Sequence, residues 1–448
     1  MSYSVGLVSL GCAKNQVDGE MMMATLQKAG YEIRDDAALA DAAIVNTCGF
    51  IDAAKKESIE EILELAKLKA EGKIKAIIVT GCLAERYREE ILKELPEVDA
   101  VAGIGADSDI AAVIEQALSG VKVESFPEKT LLPLNGERRL STPGYFAYLK
   151  IAEGCDNRCA YCAIPFIRGR YRSRTMEDIV CEAQTLVRGG AKELILIAQD
   201  TTRYGWDLNG KLMLPQLLKE LCKIDGIEWI RILYCYPDYI TDELLQTIAT
   251  EDKIVKYMDL PLQHCSARLL KAMHRTGSRK ELTALIEKMR ATIPNLILRT
   301  TLITGFPGET EEDFTQLAEF VREIRFERLG CFTYSQEEGT AAAEMPDQID
   351  EDVKRHHMDL IMEDQMNIMQ EWGEKQIGKT VRVLVEGFDR YADCWFGRSC
   401  ADSPDVDGKI FFTAKGVKPK SGSFVAVKIT ECVDCDLTGE IVIEEARE

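Results

Sequence analysis

The sequence reads Glu153-Gly-Cys155-Asp-Asn-Arg-Cys159-Ala-Tyr-Cys162 directly after an apolar run that begins at Phe146. This C-x3-C-x2-C spacing lies on a loop too short to keep the three sulfur atoms apart. Three such thiolates can bind three irons of a four-iron, four-sulfur cluster and leave the fourth iron open for a ligand. A zinc loop that lacks its fourth ligand and three packed core cysteines are the alternatives. The spacing favours the cluster.

Six short apolar runs follow one another from Tyr145 onward, and a helical stretch follows each run. Six consecutive βα units predict a partial (β/α)6 barrel of the TIM type, with its chemistry at the carboxyl ends of the strands. A charged, Met-rich segment then predicts one long helix over residues 350–372. The strands are expected at residues 146–152, 194–198, 229–233, 257–260, 296–303 and 329–333.

The first 140 residues or so repeat a related pattern of apolar run, turn with Cys or Gly, and helix-period segment. This alternation predicts an open parallel α/β sheet. Residues 126–143 contain three prolines and no periodicity, which indicates a linker. Strands are expected at residues 5–10, 43–47, 74–80 and 98–102, and helices at 17–29, 53–70, 84–95 and 109–118.

Three further cysteines each stand at or just after the end of a predicted strand, with a glycine beside each. They are Cys12, Cys48 and Cys82, in Leu10-Gly-Cys12, Cys48-Gly49 and Thr80-Gly-Cys82. The carboxyl ends of parallel strands meet at one sheet edge, so these residues are expected to converge. Helix N-termini at that edge favour the thiolate form. Small buried residues are the alternative to a second cluster.

The last 70 residues or so change to period-2 runs separated by Gly, Asp and Ser. Runs at residues 380–386, 409–413, 424–429 and 440–443 predict a small antiparallel β-barrel of the oligonucleotide-binding kind. Its acidic residues outnumber its basic ones. Cys432 and Cys435 form a C-x2-C there, but no second pair or His lies nearby in the sequence, which favours incidental thiols.

Composition limits the function classes. The chain has 448 residues and a formal net charge of −20, which disfavours a general affinity for nucleic acid or anionic membranes and suits a basic partner. Fifteen cysteines, an odd number, cannot all form disulfides. The amino terminus resembles neither a signal peptide nor a membrane span. We therefore expect a cytoplasmic protein with reduced, metal-binding thiols and no membrane partner.

The cysteine loop, with an aromatic residue before its last Cys, resembles the radical S-adenosylmethionine superfamily. Two cysteine trios followed by a small barrel resemble its methylthiotransferase family along essentially the whole chain. The resemblance implies an amino-terminal cluster domain (residues 1–138), a radical core (141–375) and a TRAM domain (377–445). It also implies two [4Fe-4S] clusters and two uses of S-adenosylmethionine, as a methyl donor and as the source of a 5′-deoxyadenosyl radical. The expected cluster ligands are Cys12, Cys48, Cys82, Cys155, Cys159 and Cys162.

Two branches of that family differ in substrate. One modifies isopentenylated adenosine in tRNA, and the other modifies the β-carbon of an aspartate in small-subunit ribosomal protein S-twelve. The stretch from Leu10 to Asp18, with Lys14-Asn15 after its Cys, resembles the protein-modifying branch, as do the stretches 155–174 and 261–266. Gly19 stands where the family commonly has Ser. The acidic charge agrees with a basic protein substrate, and tRNA methylthiolation remains the alternative.

The resemblance also implies contacts to S-adenosylmethionine at the open edge of the barrel. Gln199, Gln263 and Thr304 are expected to bond the ribose or the methionine, and Gly305 and Tyr161 to lie near the adenine. Asp200 and Arg299, in the same segments, are also expected to bind the cofactor. Implied partners are S-twelve, free or within the ribosome, an electron donor such as flavodoxin or ferredoxin, and a sulfur donor. A non-catalytic iron–sulfur RNA-binding or redox-sensing protein and a zinc scaffold are the rival classes.

Four histidines complete the candidates. His264 and His274 are expected to be hydrogen-bonded structural residues, and His356 and His357 to be solvated on the long helix.

Overall fold

The computed structural model describes residues 3–129, 134–414 and 416–442. The chain forms a six-stranded parallel sheet, a second six-stranded parallel sheet and a closed five-stranded barrel, in that order. We refer to them as the amino-terminal domain, the half barrel and the terminal barrel. The predicted fold class is thereby confirmed. Within the described ranges, no helix is long and apolar enough to span a membrane.

The amino-terminal domain alternates strands and helices: β1 (Ser4–Ser9), α1 (Ala13–Lys28), β2 (Glu32–Arg34), β3 (Ala42–Thr47), α2 (Asp52–Ala70), β4 (Ala76–Gly81), α3 (Cys82–Arg86), α4 (Arg88–Glu94), β5 (Ala100–Ala102), α5 (Ile110–Leu118) and β6 (Val123–Ser125). The strand order is β2-β1-β3-β4-β5-β6, and every pairing is parallel. The central strands β3 and β4 are buried along their whole length because helices cover both faces of the sheet.

Two details of this domain differ from the sequence prediction. The edge strands β2 and β6 were not predicted, because each has only three residues and two of them are polar. The helix predicted over residues 84–95 is two helices, because the backbone leaves the helical region at Tyr87. Neither difference moves the edge at which the three cysteines stand.

The half barrel contains β7 (Phe146–Lys150), β8 (Ala152–Glu153), α6 (Ile164–Arg168), β9 (Arg172–Ser173), α7 (Met176–Arg188), β10 (Glu193–Ile197), α8 (Trp206–Asn209), α9 (Leu214–Cys222), β11 (Trp229–Ile232), α10 (Asp242–Thr250), β12 (Ile254–Asp259), α11 (Ala267–Ala272), α12 (Arg279–Thr292), β13 (Ile297–Thr304), α13 (Glu311–Ile324), β14 (Arg328–Thr333) and α14 (Glu351–Glu374). Its sheet runs β14-β13-β12-β11-β10-β7 and stays open between the two end strands. The short strands β8 and β9 form a separate antiparallel pair.

Side chains alternate between the two faces of the half barrel. Ile230 and Ile232 of β11 belong to the large core between sheet and helices, so Arg231 between them faces the lumen. A second apolar cluster occupies the lumen side, where Val17 and Met21 of α1 pack against inward-facing residues of the strands. The amino-terminal domain is therefore docked onto the half barrel through α1.

The terminal barrel consists of β15 (Thr380–Asp389), β16 (Cys394–Arg398), β17 (Ile410–Thr413), β18 (Phe424–Val433) and β19 (Asp436–Ile441). Four of its five pairings are antiparallel, as predicted, while β17 and β19 pair in parallel and close the barrel. Its core contains Val383, Val385, Phe412 and Val427.

Residues 399–407, between β16 and β17, leave the terminal barrel and enter the lumen of the half barrel; we call them the docking loop. Their partners are inward-facing side chains of separate strands. The contacts are Arg231 Nη1 to Cys400 O (3.0 Å), Arg328 Nη2 to Asp402 Oδ1 (2.6 Å) and Tyr257 OH to Asp407 Oδ2 (2.7 Å). The loop therefore fills the lumen on the side away from the cysteine loop.

A buried ion cluster fixes this arrangement. Glu193, at the start of β10, accepts from Arg231 (2.8 Å) and from Arg398 of the terminal barrel (2.9 Å), and all three side chains are excluded from solvent. Burial alone would raise the pKa of Glu193, but the two guanidinium groups lower it below its ordinary value. Glu193 thus stays ionised where the two domains meet.

The predicted linker is packed onto the molecule in its described part. Arg138 is buried and pairs with Glu20 of α1 and Glu182 of α7, each at 2.6 Å. The described part of the segment therefore connects the amino-terminal domain to the half barrel. Residues 130–133 of this segment, and residues 443–445 of the expected third domain, lie outside the described residues.

Candidate functional site: two cysteine trios

The amino-terminal trio stands at the carboxyl edge of three adjacent strands. Cys12 is the residue before α1, Cys48 directly follows β3, and Cys82 begins α3 after β4. Gly11 has a φ of 87°, and a Cβ added there would lie 3.1 Å from Cys48 Sγ. Only glycine lets the two chain segments approach this closely. The structure thus brings these three predicted residues together.

The pKa values of the three thiols in this trio are shifted in different directions. Burial alone would raise the pKa of the Cys12 thiol, but the positive charges of Lys14 and Arg168 lower it below the ordinary value. Burial raises the pKa of Cys48, and raises that of Cys82 to about 12. Each of these thiols also feels the charge of another member of the trio. They therefore form one electrostatic unit.

Asn15 holds the strand ends around this trio. Its Nδ2 donates to Leu10 O at 3.1 Å and to Thr47 O at 2.8 Å, which ties β1 to β3. Its Oδ1 accepts from Arg168 Nη2 at 2.6 Å and lies 3.5 Å from Cys82 Sγ. One buried amide thus connects two strand ends, a cysteine and the half barrel.

The second trio lies on the tight loop between β8 and α6. The Cys155 N–H donates to Gly169 O, and the Cys162 N–H donates to Cys159 O, both at 3.1 Å. Gly154 has a φ of 74°, and a Cβ there would lie 2.2 Å from a backbone oxygen, so the turn requires glycine. Burial raises the pKa of Cys155 to about 12 and raises that of Cys162 further.

The two trios are neighbours across the domain boundary. Cys82 packs against Ala163 and Ile167 of the segment that directly follows Cys162. At the end of that segment, Arg168 Nη2 lies 3.6 Å from Cys82 Sγ. The sequence expectations treated the two trios separately, and the structure places them in one site.

A buried network of charged side chains lies between the two trios. Arg168 Nη1 donates to Asp18 of α1 and to Glu153, two residues before Cys155, at 3.0 Å each. Lys150 pairs with the same two carboxylates, at 2.5 Å to Asp18 and 2.9 Å to Glu153. Two cations and two anions therefore balance one another without solvent, which fixes the orientation of the domains.

The thiols are not arranged around a single ion in the part of the chain that the structure describes. Within the described ranges, no group of three or more His, Cys, Asp or Glu side chains is placed to hold one metal ion. Thiolates of a four-iron cluster bind separate irons, so they stand farther apart than the ligands of one ion. The geometry thus disfavours the zinc-scaffold alternative and is compatible with iron–sulfur clusters.

Two residues of the predicted cofactor site lie beside the cysteine loop. Gln199 donates through Nε2 to Glu153 at 3.0 Å, while its Oε1 is buried and has no hydrogen-bond partner among the described residues. Asp200 accepts from Asn157 of the cysteine loop at 3.0 Å and from Thr202 at 2.7 Å. Gln199 Oε1 is therefore a free acceptor at the barrel mouth, as a polar ligand requires.

Tyr161 and Gln263 also lie near the mouth. The Tyr161 hydroxyl accepts from Arg275 at 3.3 Å, and the Tyr161 ring packs in a cluster that includes Phe306. Gln263 has a φ of 70° and pairs through its backbone with β13. A left-handed non-glycine residue is typical of functional loops.

Arg299 and Thr304 are engaged elsewhere. Arg299 donates to Asp259 at 2.9 Å and lies 3.8 Å from Asp407 of the docking loop. The Thr304 hydroxyl donates to Lys354 O on α14, the helix side of the strand. A direct side-chain bond from either residue to a cofactor therefore has no support in this geometry.

Gly305 is required by packing within the chain. Its φ is 71°, and a Cβ there would lie 2.0 Å from Lys354 Cγ. The Gly305 N–H donates to Glu309 at 2.9 Å, which holds the loop closed. This contact explains the glycine without any ligand.

Two histidines support the Gly305 loop. His357 lies 3.0 Å from Glu309 through Nδ1 and stacks on Phe314 at 3.8 Å, so the expectation that it is solvated is wrong. Its face of α14 packs against α13, a long-range contact that helix periodicity does not reveal. His264 is a structural histidine as predicted, since its Nδ1 accepts two backbone N–H groups at 2.9 Å.

Sequence reasoning missed several site residues. Glu153 and Arg168 flank the cysteine loop, and Lys150 and Asp18 complete their network. Charged residues beside a buried strand and within a predicted helix were the available signal, because buried charges need partners.

Three family descriptions match the chain. They are the uncharacterized protein family UPF0004 over residues 4–103, the Radical SAM superfamily over residues 149–321 and the TRAM domain over residues 377–442. Radical SAM membership implies a [4Fe-4S] cluster and S-adenosylmethionine.

Solved structures with the same fold include a radical S-adenosylmethionine methyltransferase, TsrM, from Kitasatospora setae. Its TM-score is 0.55 at 15% identity, over 74% of this chain and 73% of that chain. The cobalamin-dependent S-adenosylmethionine radical enzyme OxsB has a TM-score of 0.52 at 14% identity, over 82% of this chain and 56% of that one. At such identities the likeness concerns the fold alone.

Curated proteins named "Ribosomal protein uS12 methylthiotransferase RimO" are similar along their whole length. The one from Thermoanaerobacter sp. (strain X514) is 51% identical over 438 residues, which is 98% of this chain and 99% of that protein. The one from Clostridioides difficile (strain 630) is 47% identical over 445 residues, 99% of each. The chain therefore belongs to the ribosomal protein uS12 methylthiotransferase RimO family and is a radical S-adenosylmethionine methylthiotransferase.

Proposed function

We propose that this enzyme adds a methylthio group to the β-carbon of an aspartate in small-subunit ribosomal protein uS12. One observation carries the proposal: Cys82 of the first trio packs on the segment that follows Cys162 of the second. Insertion of sulfur at an unactivated carbon needs a radical source and a sulfur-handling centre side by side. The relatives, which are named as uS12 methylthiotransferases, indicate the substrate.

Each trio is assigned one [4Fe-4S] cluster. Cys155, Cys159 and Cys162 would hold the cluster whose open iron binds S-adenosylmethionine, and Cys12, Cys48 and Cys82 would hold the sulfur-handling cluster. When bound, these groups supply the carbon radical, the sulfur and the methyl group. The convergence of Cys12, Cys48 and Cys82 at one sheet edge and the tight loop that carries the second trio support the assignment.

The protein's own residues orient these groups. Asp200 fixes the cysteine loop through Asn157, and the free Oε1 of Gln199 can accept a hydrogen bond from an ammonium or hydroxyl group of the cofactor. Tyr161 is held by Arg275 above the Gly305 loop. Of the remaining predicted contacts, Gln263 stays a candidate through its strained backbone, and Gly305 through the shape of its loop.

Arg168 provides positive charge where thiolates gather. Its guanidinium lies beside Cys82 and is neutralised on the other side by Glu153 and Asp18. A cation at this point stabilises anionic sulfur and fixes the position of the two domains relative to each other.

Charge favours a basic protein substrate. The chain has a net charge of −20, so an opposite field would speed encounter with a strongly basic ribosomal protein and would oppose a nucleic-acid backbone. We therefore prefer uS12, free or within the ribosome, to tRNA as the substrate.

Further parts of the proposal concern the cell and the domains. All cysteines carry free thiols, which suits a reducing cytoplasm. An electron donor such as flavodoxin or ferredoxin and a separate sulfur donor complete the scheme. The proposed domains span residues 1–138, 141–375 and 377–445.

Mass spectrometry tests the function. The enzyme, reconstituted with iron and sulfide without oxygen, is incubated with S-adenosylmethionine, a reductant and either purified uS12 or bulk tRNA. We expect one methylthio group on a single aspartate of uS12 and none on tRNA. The same gain on adenosine alone would contradict the proposal, and the absence of 5′-deoxyadenosine would contradict radical catalysis altogether.

A further inference from the structure

One run of the half barrel has a charge opposite to that of the chain. Residues 260–280 contain five Lys or Arg and no Asp or Glu, whereas the whole chain has a formal net charge of −20. The run follows β12, includes α11 and ends in the first turn of α12. A local excess of one sign against the opposite background is typical of a surface that selects its partner by charge.

This run lies directly against the cysteine loop that carries the second trio. The Ala160 N–H donates to Met273 O at 3.0 Å, and His274 Nδ1 lies 3.0 Å from Arg158 O. Two consecutive residues of the run thus contact both chain neighbours of Cys159. The positive run and the trio therefore belong to one part of the surface.

Two cations of this surface are free to meet a partner. Arg158 and Lys271 are exposed, and within the described ranges neither side chain forms an ion pair or a hydrogen bond. The Lys271 carbonyl accepts from the His274 N–H at 3.1 Å, which places it close to the contact with Arg158. Arg170 differs, since Asp156 neutralises it at 2.6 Å. We call the surface of Arg158, Lys271 and His274 the basic patch.

The basic patch lies on a side of the cysteine loop that the chain leaves open. The segment after Cys162 packs against Cys82 of the amino-terminal domain, and Asn157 donates to the buried Asp200. Arg158 and His274, in contrast, are exposed. Asp238 lies at the border of the patch, where it accepts from Thr276. A second protein can thus approach the loop over the basic patch without displacing a domain.

We propose that the basic patch is the docking surface for the reductant of the enzyme, an acidic one-electron carrier protein. This inference rests on the proposed function, in which the carrier loses one electron and the cluster held by Cys155, Cys159 and Cys162 gains it. Opposite charges speed the encounter of two proteins and orient them. Because the acidic remainder of the enzyme repels an acidic carrier, the local cations direct the carrier to the cysteine loop.

A nucleic acid is the weaker candidate for this surface. Two free cations neutralise only a few phosphates, and affinity for a nucleic-acid backbone grows with the number neutralised. Electron carriers, by comparison, bind through small and short-lived interfaces. The size of the basic patch therefore favours a carrier protein.

A double variant, Arg158→Gln with Lys271→Gln, tests the docking surface. The dissociation constants of flavodoxin and of ferredoxin, both acidic proteins, are measured for the cluster-loaded enzyme at low and at high salt. We expect wild type to bind at least one carrier, with an affinity that falls as salt rises. The double variant should bind that carrier about tenfold more weakly at low salt and should show a smaller salt dependence.

Lys418→Gln with Lys420→Gln is the matched control, because it removes the same charge from exposed residues. Lys420 lines a cavity with Tyr145, which precedes β7 at the end of the half barrel away from the cysteine loop. This control should bind the carrier as wild type does. An equal loss in the control, or an unchanged affinity in the double variant, would overturn the inference.

Chemical reduction separates docking from the chemistry. With excess dithionite, we expect the double variant to match wild type in iron content and in release of 5′-deoxyadenosine. A loss of either would show that the two cations support the cysteine loop itself, and would overturn the inference. Weaker binding of ribosomal RNA with unchanged binding of both carriers would overturn it as well. Failure of dithionite-reduced wild type to modify uS12 would instead contradict the proposed function, so the two failures are distinguishable.

Discussion

Arg168 Nη2 lies 3.6 Å from the sulfur of Cys82, although the two residues belong to different domains. The same guanidinium pairs with Asp18 and Glu153, and all of these groups are buried. Removing it would leave two carboxylates facing Lys150 alone. A single arginine thus joins the cysteine trios and balances the charge between them.

We expect Arg168→Met to destabilise the protein by about 3–5 kcal/mol, because it leaves buried carboxylates without a partner. Urea unfolding of the cluster-free protein, followed by circular dichroism, measures this change. Arg170→Met is the matched control, since Arg170 lies two residues away and its ion pair is on the surface. Equal stability of the two variants would refute the proposed contribution of the network to the free energy of unfolding.

The two cysteine trios should have separable effects. Alanine at Cys155, Cys159 and Cys162 should abolish cleavage of S-adenosylmethionine and methylthiolation together. Alanine at Cys12, Cys48 and Cys82 should leave cleavage intact but prevent methylthiolation. Each triple variant should hold about half the wild-type iron, measured after reconstitution. Full methylthiolation without the amino-terminal trio would contradict its role in sulfur handling.

Gly305→Ala should be more harmful than Gly339→Ala, although both glycines have positive φ. Its Cβ would meet Lys354, whose Nζ is anchored to Tyr334 O and to Glu351. We expect about 1–2 kcal/mol from the left-handed backbone and about 1–3 kcal/mol from overpacking.

Gly339→Ala is the control for that measurement. Gly339 has a φ of 77°, and a Cβ there meets nothing within 4 Å, so only the backbone contribution remains. Thermal unfolding of both variants compares them. A smaller loss for Gly305→Ala than for Gly339→Ala would be inconsistent with the packing described.

His264 should make stability depend on pH. Burial lowers the pKa of His264 from 6.5 to about 4, so between these values the unfolded state binds more protons than the folded state. The free energy of unfolding should therefore fall as pH falls from about 6.5 to about 4, by about 3 kcal/mol. In His264→Asn, whose amide oxygen can replace Nδ1 as the acceptor, this component should vanish. An unchanged pH slope would argue against a neutral buried imidazole.

The parallel sheets were predictable because short apolar runs alternate with helical stretches, with Cys or Gly in the turns of the amino-terminal sheet. The convergence of Cys12, Cys48 and Cys82 followed from that topology. The alternation of side chains along each strand decides which residues face the lumen. The amino-acid sequence of β13 does not show which of its residues do so. Thr304 for this reason faces α14 and not the cofactor edge.

The charge network was not predictable. Asp18 and Lys150 are 132 residues apart, and no local pattern links them. The same holds for Arg231 of the half barrel and Cys400 of the docking loop. Such pairs depend on how complete domains pack, which periodicity within one element does not encode.

The docking loop has a consequence for the form in which a polypeptide can reach the site. Residues 399–407 fill the lumen from one side through Arg231, Tyr257 and Arg328, so the cysteine-lined edge of the half barrel is the opposite opening. Because the lumen is closed at this end, it can admit the tip of a projecting hairpin. A chain cannot pass through it from one end to the other. A folded partner would then have to offer its reactive side chain at the apex of a turn.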